Sequence, residues 1–145
     1  MRKILLIFLL WGCAPYNPIH PASEYVGLHE IQDKMVLEDM LNVDPTTTPW
    51  CGAFVAYILE QQGMPIPKHP LWSRSYLEWG IEVAEPRYGD LVVFKSQDST
   101  WQGHVGFYVA DLGNDILVLG GNQSDRVEYG KYSKSLLLGI RRLSD

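Results

Sequence analysis

The clearest hydrophobic pattern in the chain runs over residues 51–62. Cys51, Phe54, Val55, Ile58 and Leu59 recur at i, i+3, i+4, i+7 and i+8, which is one apolar stripe of a buried helix. Gly63 suits its C-terminal cap, and Pro65 and Pro67 prevent continuation. Pro49 closes the loop before it, so Cys51 falls in the first turn. Gly52 and Ala53 are small enough to let neighbouring backbone approach. Upstream, Ser23 can cap a helix over 23–41 whose inner face would carry Leu28, Ile31 and Met35. A loop with Asp44-Pro45 follows over 42–49. Trp72, Tyr76 and Trp79 predict a short helix over 70–80, ended by Gly80.

Downstream the period changes from helical to alternating. Residues 91–94 are a continuous apolar run. Over 104–110, Val105, Phe107 and Val109 point one way while His104, Gly106 and Tyr108 point the other. A turn at Leu112-Gly113-Asn114-Asp115 returns the chain through 116–119, and Gly120-Gly121-Asn122 ends that strand. Residues 126–129 and 136–142 read as further strands. Helices first and an antiparallel sheet afterwards make an α+β domain. The length of 145 residues fits one domain, with neither repeat nor second core.

The first residues follow neither pattern. A basic start, Met1-Arg2-Lys3, precedes an apolar run from Ile4 to Trp11 that is too short for a mature membrane span. It ends at Gly12-Cys13, which resembles a lipoprotein signal over residues 1–12 with lipid attachment at Cys13. Trp11 is bulkier than the usual occupant of its place. An ordinary secretory signal, or an uncleaved anchor with a bystander cysteine, fits the same residues. Each reading puts the domain outside the cytoplasm. Pro15, Pro18 and Pro21 then suggest an extended tether over 13–22 before a domain at 23–145.

Composition narrows the chemistry. A net charge of -5 with no basic patch argues against nucleic acid; Arg141-Arg142 reads as a solvated strand end. Two cysteines cannot make a zinc site, and no His-Glu-x-x-His or Cys-x-x-Cys occurs, so no metal or cofactor is expected.

A thiol in the first turn of a helix lies among unpaired N–H groups at the positive end of the dipole, and both favour thiolate. Cys51 is therefore a candidate nucleophile, with an expected pKa below the free value of about 8.5. A small buried hydrophobe is the competing reading. Among four histidines, His104 alone opens a core strand, flanked by Gly103 and Gly106. Asn122 ends the strand expected to pair with it and is a candidate to orient its ring, though a turn-forming role explains it too. Trp50, Trp72, Trp101 and Tyr108 are candidate groove residues, with core or rim packing the competing reading; Trp50 and Trp101 are preferred as neighbours of Cys51 and His104 in sequence.

The order Cys, His, Asn on a helix and a sheet is papain-like. Pro-Trp-Cys-Gly-Ala-Phe-Val at 49–55, Pro-Arg-Tyr-Gly-Asp-Leu-Val-Val-Phe at 86–94, Gly-His-Val-Gly-Phe-Tyr-Val at 103–109 and Leu-Gly-Gly-Asn-Gln-Ser-Asp at 119–125 resemble the CHAP branch of papain-like cysteine amidases and peptidases, which overlaps the NlpC-type wall hydrolases. The resemblance implies Cys51 as nucleophile, His104 as general base and Asn122 as the residue orienting it. Many relatives carry an acid two places before that asparagine, where this chain has Gly120. It further implies cleavage of a peptidoglycan amide. The N-terminal segment agrees independently: a lipid on Cys13, followed by Ala14 rather than the aspartate associated with inner-membrane retention, would anchor the domain in the outer membrane facing the periplasm, and a monomer without cofactor is expected. A wall-binding lipoprotein without turnover and a phage-derived lytic enzyme are the alternatives.

Overall fold

The computed structural model describes residues 16–144; the expected signal and the lipid attachment at Cys13 lie outside them. Helix α3, Cys51–Gln61, takes the place its stripe predicts, buried from Cys51 to Leu59 save the half-exposed Tyr57. Gly63 closes it with a positive φ of 68°. The amide of Met64 reaches Leu59 O and that of Gly63 reaches Glu60 O, a paired cap that supplies donors to carbonyls the helix leaves free. Among the described residues no helix is long and apolar enough to cross a membrane.

Six strands form one antiparallel sheet in the order β1-β6-β2-β3-β4-β5: β1 Ile81–Glu82, β2 Leu91–Lys95, β3 Gly103–Asp111, β4 Asp115–Gln123, β5 Arg126–Ser133 and β6 Leu137–Arg142. The alternation expected for β3 holds. Val105 and Phe107 join Leu91, Val93 and Leu119 beneath α3. Val92, Phe94, Tyr108, Val118 and Ile140 form a second apolar cluster on the other face.

The first helix is a correction. Only α2, Lys34–Leu41, is regular where 23–41 was expected, and Ile31 and Met35 are 68% and 83% exposed rather than inward. Gly27, at φ 100°, breaks the run. Residues 27–30 instead pair with the β4–β5 turn: Gly27 N–H donates to Val127 O, Glu30 N–H to Asp125 O, and Val127 N–H to Leu28 O.

The tether is a second correction. Residues 19–23 form a short helix, α1 (Ile19–Ser23), whose Ile19 and Ala22 are buried in the main core. Pro18 stands against Gly89, where a Cβ would come within 2.9 Å of the ring. The packed unit thus begins before residue 23. Apolar spacing among the prolines, not the prolines themselves, decided this stretch.

The basic pair at the end of β6 is not a solvated strand end. Arg142 clasps the buried Asp90 with two bonds, Nε to Oδ1 at 2.9 Å and Nη2 to Oδ2 at 2.6 Å, while Arg141 Nε donates to Trp79 O.

Candidate active site

Cys51 begins α3 as a free, buried thiol. Its first turn is held from outside. The Tyr76 hydroxyl, buried in the 3-10 turn Ser73–Glu78, donates to Gly52 O at 2.6 Å and lies 3.1 Å from Pro70 O. A Cβ at Gly52 would sit 2.3 Å from Pro70 O, so the loop over 70–71 reaches the helix only because residue 52 is glycine. The same 3-10 turn approaches β3, since a Cβ at Gly103 would lie 3.1 Å from the Ser73 hydroxyl. It therefore joins the segment carrying Cys51 to the segment carrying His104.

The backbone N–H groups of Val105, Gly52 and Cys51 itself act on the Cys51 sulfur to lower its pKa. Val105 is the residue after His104, which places the start of β3 beside the thiol. These donors favour thiolate, yet burial pushes the thiol above its ordinary value. This overturns the depressed pKa expected from the helix start. A helix terminus stabilises charge by a modest amount, whereas removing a thiolate from water costs more. Cys51 rests as a thiol.

His104 lies among β3, β4 and β5. Its ring stacks on Tyr132 with centroids 4.5 Å apart and planes 5° apart, and Tyr132 also stacks on Phe94 at 5.0 Å. Its Nε2 is 2.8 Å from Gln123 Oε1. The residue holding His104 is thus Gln123, not Asn122. The physical cause is a β-bulge: Gly120 pairs with Glu128 and Gln123 with Arg126, so Gly121 and Asn122 together face Val127 alone. One extra residue turns every later side chain to the opposite face. Asn122 takes up the bend at φ 56°, a conformation asparagine tolerates well. Gly121 faces α3, where a Cβ would lie 2.7 Å from both Phe54 and the Trp50 ring.

Burial lowers the His104 pKa to about 4, a shift that the Gln123 bond opposes. The ring is neutral in the fold, whereas an unfolded histidine titrates near 6.5. The unfolded chain therefore binds more protons between these values. Stability is full above pH 6.5 and falls as pH drops through 4, by at most about 3 kcal/mol. Urea unfolding of wild type and His104→Asn at pH 7 and pH 4 should show this difference in acid sensitivity; equal losses would contradict a buried neutral imidazole.

Trp50 does not line a groove. It is 0% exposed, and its indole N–H donates to Glu30 Oε2 at 3.2 Å. Trp101 is 72% exposed. Trp72, 62% exposed and stacked on His69 at 4.4 Å, is a second free aromatic face. Both belong to segments tied to the 3-10 turn, since Trp72 precedes it and Arg74 within it donates to Gln102 O at 2.9 and 3.1 Å. Residue spacing placed Tyr76 in a short helix but gave no sign of its bond to Gly52 O, and it carried no sign of Tyr132; a glutamine directly after Gly-Gly-Asn was the available hint of Gln123. Among the described residues, no cluster of His, Cys, Asp or Glu side chains could hold a metal ion.

The model of one protein family, described as the CHAP domain, matches residues 43–122. A search of curated proteins found no match.

Proposed function

The chain belongs to the CHAP domain family, a domain found in peptidoglycan amidases and peptidases, and from that premise we propose that it is a cysteine hydrolase cutting an amide bond of the cell wall through an acyl-enzyme. The observation that supports this most is the juxtaposition at the head of α3. The Cys51 thiol is influenced by the backbone N–H of Val105, the residue after His104 on β3, and Nε2 of that histidine is already engaged by Gln123.

In this reading His104 Nδ1 accepts the Cys51 proton as sulfur attacks the amide carbonyl, so no free thiolate need accumulate. The oxyanion that forms accepts from the Cys51 backbone N–H. The C–N bond breaks, and His104 returns the proton to the departing amine. Water, deprotonated by the same nitrogen, then releases the thioester as a carboxylate. Exposed Trp72 and Trp101 supply faces on which sugar rings or stem peptides can rest. A lipid on Cys13 and a periplasm-facing outer-membrane location would put this site against the wall.

Digesting purified walls with the protein and weighing the products by mass spectrometry tests the proposal. Each cut should add one water, with a new carboxylate and a new amine. Soluble fragments carrying neither, or intact walls across several wall types and pH values, would overturn it.

A further inference from the structure

The geometry points to Gln123 as the positioning residue that fixes the proton of His104 on Nε2, in a slot that two glycines keep open. This inference rests on Cys51 and His104 acting as nucleophile and base.

Among the described residues Gln123 is one of few buried polar side chains, 4% exposed. Its amide nitrogen donates to Val118 O at 3.1 Å and to Glu128 O. Carbonyl oxygens only accept, so both amide hydrogens are committed to them. The side-chain nitrogen must face those carbonyls and the side-chain oxygen must face His104. An amide oxygen also only accepts. His104 Nε2, 2.8 Å away, therefore carries hydrogen, and Nδ1 keeps the lone pair. Two main-chain carbonyls on β4 and β5 thus select the tautomer able to take a proton from a thiol.

The slot is written into the chain. A Cβ at Gly120 would stand 2.8 Å from Gln123 Oε1 and 3.4 Å from His104 Nε2. A Cβ at Gly130 would stand 3.0 Å from Gln123 Nε2. The amide fills the space a side chain at 120 would use to reach the same histidine nitrogen, and the bulge at Gly121-Asn122 delivers it there. A neutral orienter has a chemical consequence. It holds the ring without a carboxylate's charge, so the imidazolium formed during attack receives less stabilisation than an acid would give.

Imidazole 15N NMR of the full chain tests the tautomer without substrate or mutation. Nε2 should appear protonated and Nδ1 unprotonated at neutral pH. A dominant Nδ1–H form would overturn the inference, whether or not the protein cuts walls. Gln123→Ala should mix the tautomers, lower kcat on the order of 100-fold and leave KM within about twofold. Its iodoacetamide alkylation at Cys51 should slow as well. Gly120→Asp combined with Gln123→Ala places a carboxylate in the vacated slot. It should restore the Nε2–H form, recover about tenfold of the lost kcat and raise the His104 pKa. Unchanged tautomer and kcat in Gln123→Ala would contradict the role. So would an unfolded Gln123→Ala whose folded Gln123→Met counterpart keeps the wild-type tautomer.

Discussion

Cys51→Ala is expected to abolish wall cleavage, by roughly four orders of magnitude or more, while leaving the fold in place. The substitution removes one buried sulfur from the end of α3, a loss of about 1 kcal/mol of packing. It removes the whole covalent route. Cys51→Ser should be nearly as inactive, because a hydroxyl is far harder to deprotonate than a thiol. The raised thiol sharpens the expectation. If Cys51 rests protonated, attack requires a base at the moment of reaction, and His104→Ala should be comparably inactive. The double variant should then lose little more than either single one, since both act in one step. Turbidity clearing of walls and product masses measure all three. Retained cleavage in Cys51→Ala would show that another group does the chemistry.

Asp90→Ala is expected to lower stability by about 3 to 5 kcal/mol, the usual cost of stripping the partner from a buried charge. Asp90 is 5% exposed and accepts from Arg142 Nε and Nη2 and from the Arg87 amide at 2.7 Å. Its removal takes the carboxylate from the Arg142 guanidinium, which keeps its bond from Nη2 to Glu85 O at 3.0 Å, at the junction of β2 and β6. Replacing both members, Asp90→Leu with Arg142→Met, should recover much of the loss, because an apolar pair of similar volume avoids the desolvation cost. Urea midpoints at constant slope measure this. Equal destabilisation in the single and double variants would mean that packing, not charge, holds this corner.

The elements that proved legible share one property: their pattern is dictated locally. The stripe of α3, its glycine cap and the alternation of β3 each need only neighbouring residues to specify them. The 23–41 helix failed because one glycine at positive φ outweighed an apolar period, and because β5 offered residues 27–30 better partners. Trp50 lies beside Cys51 in sequence yet points into the core, since successive residues at a helix start face different ways.

By itself the sequence determined the α+β order, the place of Cys51 at the head of a buried helix, His104 at the start of a core strand, and the CHAP pattern linking them. Tertiary structure decided three things. It set the thiol's protonation, because desolvation depends on everything packed around the sulfur. It tied the 3-10 turn to the head of α3 through Tyr76, a contact across 24 residues of chain, and set Ser73 of the same turn against Gly103 of β3. And it chose Gln123 over Asn122, because a single bulge reverses which side chains face the histidine, and strand alternation has no memory of such an insertion until the partner strand is in place.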